Sequence, residues 1–197
     1  MNNQTASMKI LAAIVTHNRC ELLERCIDHL QMQTRLPDLI LVVNNGSTDA
    51  TVDMLIHRNI EFITQENVGS AGGWSRCISY SLEHNFDAVW LMDDDGFPNS
   101  SALEHLEGSL KSGVACVSSV VLREHDRERL VFPFPVLNNK KLPVIFSLRH
   151  KLKTLDEVLS KYPSGLCPYA HFFNGALVSS DAIKRIGNVD EDFFIAG

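Results

Sequence analysis

The 197-residue chain lacks several features that would place it in a specialised class of protein. Its five cysteines are scattered and form no CxxC pair, which excludes the usual zinc-site spacing and a disulfide-rich scaffold. Its N-terminus has only a short apolar run, which turns polar at Thr16, so this segment is predicted to be neither a signal peptide nor a spanning helix. It contains 18 Lys and Arg but 24 Asp and Glu, and this excess of acidic residues argues against a general nucleic-acid binder. These absences favour small-molecule chemistry in a cytoplasmic protein with reduced thiols.

What the chain does have is the composition of one folded domain. Hydrophobic residues make up 45% of it and charged residues 21%, which is ordinary for a globular protein with a substantial core. We find no internal repeat and no low-complexity tract. The sequence therefore predicts a single domain over residues 1–197.

Short apolar runs alternate with helical patterns through most of the chain. Runs bounded by polar residues suit strands buried on both faces of a mostly parallel sheet. We predict strands at residues 9–16, 39–43, 60–64, 88–92, 114–121 and 171–179, with helices at 20–33, just after Thr48 or Asp49, at 74–84, from Ser100 or Ser101 to Leu110, and at 181–186. This alternation predicts a three-layer α/β/α sandwich whose ligand site lies outside the carboxyl ends of the strands.

Three consecutive aspartates, Asp93, Asp94 and Asp95, follow the apolar run at 88–92. A carboxylate cluster at the end of a buried strand suits a divalent cation, because hard cations prefer oxygen ligands on a rigid element. Asp93 and Asp95 are predicted to point the same way from extended backbone. The alternative is a solvated acidic turn that caps a helix, although three adjacent carboxylates repel unless a cation lies among them.

A glycine-rich turn at residues 69–73 precedes the helix predicted at 74–84. Gly72 and Gly73 let the backbone approach a bulky anionic group, and Arg76 lies one turn into the helix, where it can reach a phosphate. With the aspartates, this pattern predicts a metal–diphosphate site and hence a nucleotide-activated substrate. An isolated arginine on a helix is otherwise more often a surface residue.

Residues 131–153 contain five bases, three prolines and no Asp or Glu. One interpretation is an irregular excursion that covers an edge of the sheet. The other is a contact with a membrane surface or with lipid phosphates, because basic residues interleaved with Phe and Leu suit an anionic interface. Both interpretations stay open, and the second predicts a cytoplasmic protein that contacts the inner face of the membrane peripherally.

Five motifs then stand in a distinctive order: THNR after the first predicted strand, NNGSTD after the second, ENVGSAGGWSR, LMDDDGFP, and FNGALVSSDAIKRIGNVDEDFF. In this order and spacing they resemble the family-two glycosyltransferases with the GT-A fold. The resemblance covers nearly the whole chain apart from about residues 123–168, and it is greatest to the galactofuranosyltransferase and rhamnosyltransferase branch. It implies a nucleotide-binding half at 8–122, a basic and aromatic insertion at about 123–168, and the start of an acceptor-side half at 169–197.

The resemblance implies an inverting enzyme that moves a sugar from UDP-galactofuranose or another UDP-hexose to a glycan or lipid-linked acceptor in polysaccharide biosynthesis. Asp93 and Asp95 would bind Mg²⁺ or Mn²⁺, which neutralises charge on the departing nucleoside diphosphate, and Asp93 would alternatively hold the ribose. The other implied donor-binding residues are Thr16, Asn18, Arg19, Asn44, Gly72, Gly73, Arg76 and Asp94, and Asn174 with Gly175 would line the donor sugar. Many relatives have an aspartate where Asn44 stands, and an asparagine carbonyl can accept the same bond from the base.

The resemblance places the catalytic base beyond Gly197, after the acidic segment formed by Asp190, Glu191 and Asp192. The chain is therefore expected to be a fragment that binds donor nucleotide but turns over poorly or not at all. Three alternatives stay open: a dTDP-rhamnose-dependent rhamnosyltransferase, a DxDG phosphohydrolase of the haloacid-dehalogenase type, and a non-catalytic nucleotide-binding module.

Overall fold

The computed structural model describes residues 8–138, 151–164, 167–172 and 174–190. The chain divides into two compact units, one made of residues 1–118 with 172–197 and the other of residues 119–171. The predicted single domain with boundaries near residues 122 and 168 stays a prediction. The bases Lys140, Lys141 and Arg149 of the basic stretch, and the acidic residues Glu191 and Asp192, lie outside the described residues.

Strands and helices alternate from β1 to α4 as the sequence predicts, and four successive strands, β5 to β8, then follow. The elements are β1 (Ile10–Thr16), α1 (Cys20–Gln31), β2 (Leu39–Asn44), α2 (Thr51–His57), β3 (Glu61–Thr64), α3 (Gly69–Glu83), β4 (Ala88–Asp93), α4 (Ala102–Ser109), β5 (Cys116–Ser118), β6 (Leu122–Arg123), β7 (Asp126–Pro135), β8 (Lys151–Thr154), α5 (Leu155–Lys161), β9 (Ala176–Ser179) and α6 (Ser180–Ile186). Within the described residues, no helix has the length and apolar content needed to cross a membrane.

The first unit is built on a six-stranded sheet in the order β3-β2-β1-β4-β9-β5. The four strands from β3 to β4 are parallel, and β9 runs antiparallel to both β4 and β5. The prediction of a mostly parallel central sheet is therefore confirmed. In this register Thr16 lies opposite Asn44, and Val15 lies opposite Asp93, so the polar ends of β1, β2 and β4 meet at one edge.

Each face of this sheet is covered by helices, which confirms the three layers. One core joins Leu23 and Ile27 of α1, Leu55 of α2 and Leu103 of α4 to the side chains on one face of β1 and β4. The other core joins α3 and α6 to the opposite face. Because successive side chains of a strand point to opposite faces, Ile10, Ala12 and Ile14 enter the first core, whereas Leu11 and Ala13 enter the second.

Several predicted bounds are wrong. The glycines at 69–73 are not a turn before a helix but the first residues of α3, because tertiary packing overrides the low helix propensity of glycine. The strand predicted at 114–121 is the three-residue β5, and the one predicted at 171–179 begins at Ala176. Helix α2 begins at Thr51, one residue later than predicted, although Asp49 accepts the Thr51 N–H at 3.1 Å.

The second unit contains a three-stranded antiparallel sheet in the order β6-β7-β8, followed by α5. Leu130 and Phe134 of β7 pack with Val158 of α5 in a small core of their own. Thr154 begins α5 with a capping box, in which its hydroxyl accepts the Glu157 N–H. The stretches 131–135 and 151–153 are thus strand rather than an irregular excursion, which corrects that interpretation for the described part of residues 131–153.

Candidate functional site

The candidate site lies at the carboxyl ends of β1, β2 and β4. These strands are parallel neighbours, so the loops that follow Thr16, Asn44 and Asp93 emerge at the same edge of the sheet. In open α/β sheets this edge is where ligands bind. The structure therefore brings together three of the segments that the sequence nominated.

The acidic turn is formed by Asp93, Asp94 and Asp95. The strand β4 ends at Asp93, and the Gly96 N–H donates to the Asp93 carbonyl oxygen at 3.0 Å, which closes a turn. Asp94 is 4% exposed, whereas Asp95 is exposed. The expectation that Asp93 and Asp95 share a direction because of extended backbone is wrong, since the backbone turns directly after Asp93.

Two residues of the β1 loop hold the acidic turn. The Thr16 hydroxyl donates to one Asp94 oxygen at 2.8 Å, and Arg19 Nη1 donates to the other at 3.3 Å. The same Nη1 lies 3.7 Å from an Asp95 oxygen. Thr16 is buried, but half of the Arg19 side chain is exposed. The predicted residues Thr16 and Arg19 thus contact the predicted aspartates directly.

The electrostatics of the turn favour a cation. Burial raises the pKa of Asp93 to about 6, and the negative charges of Asp95 and Asp94 add to that rise, while Arg19 lowers it. Burial also raises the pKa of Asp94 against the Thr16 bond and the Arg19 charge. The ionised form of these two carboxyls is thus disfavoured first by burial and further by neighbouring carboxylates, and a bound cation would favour it.

The donor set of the turn fits a hard divalent cation, because its side chains are carboxylates at the end of a rigid strand. In the described parts of the chain, no three His, Cys, Asp or Glu side chains are grouped so as to hold a metal ion by themselves. This agrees with the habit of Mg²⁺, which is commonly bound by one or two carboxylates together with substrate phosphates. Asp93 and Asp95 are the residues that could supply such a pair.

The loop after β1 is joined to the loop after β2. Asn18 has a positive φ of 54°, its N–H donates to the Ser47 hydroxyl at 2.9 Å, and its side-chain oxygen accepts the Thr48 N–H at 2.7 Å. Asp49 accepts the N–H of Cys20 at 3.0 Å and that of Thr51 at 3.1 Å, so one carboxylate satisfies the starts of both α1 and α2. Asp49 is therefore a structural residue.

Asn44 has partners within the protein. It is fully buried, its side-chain oxygen accepts the Ser47 N–H at 2.9 Å, and its amide donates to the Thr64 hydroxyl at 3.3 Å. These contacts shape the loop that begins at Asn45, and the role implied by the resemblance, accepting a bond from the nucleotide base, stays a prediction.

The two predicted glycines serve packing inside the protein. A Cβ on Gly73 would stand 2.5 Å from Val15 Cγ1, and one on Gly72 would collide with the side chain of Val68. Both residues are buried in α3. These glycines therefore permit the close approach of Val15 and Val68 to the backbone of α3. This corrects the prediction that the space serves a ligand.

Arg76 is not brought to the acidic turn. Its guanidinium lies 3.7 Å from the carboxylate of Glu83, the last residue of α3. Glu83 is seven residues further on, about 10 Å along the helix axis at 1.5 Å per residue. The Arg76 side chain is thus directed away from the helix start in this structure, and its predicted contact with a phosphate stays a prediction.

Asn45 and Asn174 are better connected to the site than the sequence indicated. Asn45 is buried, its amide donates to the Gly69 carbonyl oxygen at 2.9 Å, and its side-chain oxygen accepts from Gln65 at 2.7 Å. It thereby ties the β2 loop to the start of α3. The Asn174 side-chain oxygen lies 2.7 Å from where a Cβ on Gly96 would stand, beside the acidic turn. A run of two asparagines after a strand was the signal for Asn45.

Three histidines that could be nominated as ligands have local partners instead. His17 Nδ1 is 2.8 Å from the Asn45 carbonyl oxygen, His105 Nδ1 is 2.7 Å from that of Ser101, and His84 stacks on Tyr80. Trp74 of α3 is 3% exposed and lies in the second core.

The model of glycosyl transferase family 2 matches residues 12–161. The chain belongs to this family. Galactofuranosyltransferase GlfT1 of Mycobacterium tuberculosis is 33% identical over 199 residues, and that of Mycolicibacterium smegmatis is 30% identical over 194. These alignments cover 95% of this chain but 61% and 62% of the relatives, so the chain spans less than two thirds of their length.

Solved structures of other glycosyltransferases have the same fold. A mannosyltransferase from Pyrobaculum calidifontis in complex with GDP-Man and Mn²⁺ superposes with a TM-score of 0.60 at 18% identity, over 95% of this chain and 49% of that chain. A glucosyl-3-phosphoglycerate synthase from Mycobacterium tuberculosis in complex with uridine-diphosphate has a TM-score of 0.57 at 18% identity, over 89% of this chain and 58% of that chain. The predicted GT-A fold of this family-two glycosyltransferase is thereby confirmed.

Proposed function

We propose that this chain binds the nucleotide-diphosphate donor of an inverting, metal-dependent glycosyltransferase. The single observation that carries the proposal is the acidic turn at the carboxyl end of β4, held by Thr16 and Arg19 from the neighbouring strand's loop. The family supports the transferase chemistry, and the GlfT1 relatives support UDP-galactofuranose as the first donor to test. The acceptor we propose is a glycan or lipid-linked glycan.

The roles follow from the geometry. Asp93 and Asp95 would hold Mg²⁺ or Mn²⁺, which when bound neutralises charge on the departing diphosphate. Buried Asp94 fixes the shape of the turn through Thr16, so the flanking carboxylates are held in place before any ligand arrives. Asn18 and Arg19 project from a loop that Ser47 and Thr48 hold, and we propose that they contact the donor nucleotide.

The DxDG phosphohydrolase is disfavoured by the topology. In the haloacid-dehalogenase type the acidic motif follows the first strand, whereas here it follows β4, after three other strands of the sheet. The rhamnosyltransferase and the non-catalytic module remain outcomes of the experiment below.

A thermal-shift panel tests the proposal with UDP-galactofuranose, UDP-glucose, GDP-mannose and dTDP-rhamnose, each with and without Mn²⁺. A ligand at about 100 times its Kd stabilises the native state by about 2.7 kcal/mol. We expect the largest shift with UDP-galactofuranose and Mn²⁺. A dominant shift with dTDP-rhamnose would instead select the rhamnosyltransferase, and no shift with any nucleotide sugar would overturn the proposal.

Asp95→Ala should remove the Mn²⁺-dependent part of that shift, because it deletes one of the two proposed metal ligands. Asp53→Ala, at an exposed position of α2, is the matched control and should leave the shift unchanged. Slow Mn²⁺-dependent release of UDP from the bound donor would indicate a transferase site, whereas binding without release would indicate a nucleotide-binding module. An undiminished shift in Asp95→Ala would place the cation elsewhere.

We also propose a cytoplasmic location with peripheral membrane contact through residues 131–153. In the second unit Lys151 and Lys153 of β8 are exposed, as are Val131 and Phe132 of β7. Basic and apolar side chains together suit an anionic lipid surface. In a flotation assay, vesicles with about 30% anionic lipid should retain the protein through roughly 1 kcal/mol per base, and Lys151→Gln with Lys153→Gln should weaken retention. Lys111→Gln is the control, and retention that ignores lipid charge would remove the proposal.

A further inference from the structure

Arg19 is a basic residue whose guanidinium contacts the acidic turn. Its Nη1 is shared between Asp94, at 3.3 Å, and Asp95, at 3.7 Å. Asp94 is also held by the Thr16 hydroxyl at 2.8 Å, so Asp94 keeps a partner when Arg19 leaves. The contact of Arg19 with Asp95, in contrast, involves a carboxylate that is 48% exposed. The guanidinium therefore bridges one fixed and one accessible carboxylate.

The backbone of Arg19 is fixed by hydrogen bonds, whereas half of its side chain is exposed. The Arg19 carbonyl oxygen accepts the Leu23 N–H at 3.0 Å in the first turn of α1. On either side, the Asn18 N–H donates to Ser47 and the Cys20 N–H donates to Asp49. The side chain beyond this anchor is 51% exposed. Because the backbone is fixed and the side chain is exposed, the guanidinium can move from one partner to another while the loop stays in place.

A divalent cation on Asp95 competes with this arrangement. The cation takes a carboxylate oxygen that Arg19 now faces, and two positive charges a few ångströms apart repel. A bound nucleoside diphosphate adds negative charge beside the same turn, and a guanidinium binds phosphate oxygens well. Arg19 thus has an anionic partner in Asp95 before the metal binds and another in the diphosphate of the nucleotide afterwards.

We infer that Arg19 substitutes for the divalent cation. It neutralises Asp95 in the metal-free protein and moves to the phosphates of the donor when a divalent ion binds that carboxylate. The inference rests on the proposed function, in which Asp95 is a metal ligand. Arg19 consequently weakens binding of the metal ion alone and strengthens binding of the nucleotide when the metal ion is present. These two effects have opposite signs, which a residue with a merely structural role would not show.

The test measures Mn²⁺ affinity by titrating the electron paramagnetic resonance signal of free Mn²⁺ at one pH and ionic strength. Relative to the parent protein, Arg19→Gln should bind Mn²⁺ alone about 3 to 10 times more tightly, because a competing charge is gone. With saturating Mn²⁺, calorimetry should show UDP binding about 5 to 20 times more weakly, because a charge-assisted contact is lost. Lys111→Gln changes net charge equally on an exposed surface and should alter either affinity less than about twofold.

A measurement on the unaltered protein does not depend on how a variant folds. In a sample with ¹⁵N-labelled arginine, the Arg19 Nε resonance, assigned from Arg19→Lys, should move when Mg²⁺ is added without nucleotide and move again with UDP. An Arg19 resonance insensitive to Mg²⁺, or Mn²⁺ binding that Arg19→Gln leaves equal or weakens, would overturn the inference. If the parent protein binds neither ion even with UDP, the proposed function fails instead, and the two failures are distinguishable.

Discussion

The two ends of the parallel strands use aspartate in opposite ways. At the amino end, Asp38 accepts the N–H of Ile10 at 2.8 Å and pairs with Arg35 at 3.0 Å. Asp87 likewise accepts the N–H of Lys9 at 2.7 Å. Each of these carboxylates completes the hydrogen bonding of a strand that starts beside it. The amino end is thus closed by its aspartates.

At the carboxyl end, three aspartates lie on one turn, and two of them, Asp94 and Asp95, share Arg19. Burial, together with the charges of Asp95 and Asp94, raises the pKa of Asp93, whereas one backbone N–H and Arg35 satisfy Asp38. The comparison teaches that the partners supplied by the fold decide whether an ionised aspartate stabilises or destabilises the native state. Substitutions at the two ends should therefore have effects of opposite sign on stability.

The largest effect is expected from Asp38→Ala at the amino end. It removes the acceptor for Ile10 and one partner of Arg35, whose side chain is 18% exposed, so we expect a loss of about 2 to 3 kcal/mol. Urea unfolding measures the change, with Asp53→Ala as the control on an exposed helix position. A loss below about 0.5 kcal/mol, the range of ordinary surface substitutions, would contradict the idea that this end is closed by its aspartates.

The packing beneath the carboxyl end can be separated from its chemistry with glycine variants. Gly73→Ala places a Cβ 2.5 Å from Val15 Cγ1 and should destabilise the protein by about 1 to 3 kcal/mol through overpacking. Gly108→Ala, in α4, has open space and should stabilise it by up to about 1 kcal/mol through helix propensity. If Gly73→Ala behaved like Gly108→Ala, the account of Gly73 as a packing residue would be wrong.

Asp93→Asn should stabilise the metal-free protein, in contrast to Asp38→Ala. The Asp93 carboxyl has an ordinary pKa of 3.8 and a pKa of about 6 in the folded protein, so between these pH values the folded state holds more protons than the unfolded state. Stability therefore falls as pH rises through this window, and the destabilisation is complete above pH 6. Discounted for partial exposure, Asp93→Asn should add about 1 to 2 kcal/mol at pH 7.

Urea unfolding from pH 4 to pH 7, without divalent ions, checks this result. The advantage of Asp93→Asn should shrink towards zero as the pH falls below 4, because both states of the parent protein then carry a protonated Asp93. An advantage that is the same at pH 4 and pH 7 would show that charge at the carboxyl end is not its cause.

The smallest effect is expected from Arg76→Ala. Arg76 faces Glu83 at 3.7 Å on an exposed helix surface, and such pairs contribute about 0 to 1 kcal/mol. Its loss should leave the Kd for UDP with Mn²⁺ within about twofold, since the side chain points away from the start of α3. Calorimetry on this variant and on Arg19→Gln compares their Kd values for UDP. A comparable loss of affinity in both variants would show that Arg76 belongs to the site.

Much of the fold could be predicted because its signals are local. Continuous apolar runs specified β1, β2 and β4, and polar residues directly after them specified where the loops begin. The aspartates were found for the same reason, because they interrupt an apolar strand. The glycines of α3 were misassigned because glycine permits both turn and helix, and only contact with Val15 and Val68 shows which one the chain adopts.

The amino-acid sequence by itself determined the parallel sheet, the family and the location of the acidic turn, since hydrophobic periodicity and consecutive residues carry that information. Only the tertiary structure decided which side chains face the turn. It buried Asn44, directed Arg76 towards Glu83 and placed Arg19 between Asp94 and Asp95. Contacts across 75 residues of sequence depend on strand order and loop geometry, which no local pattern encodes.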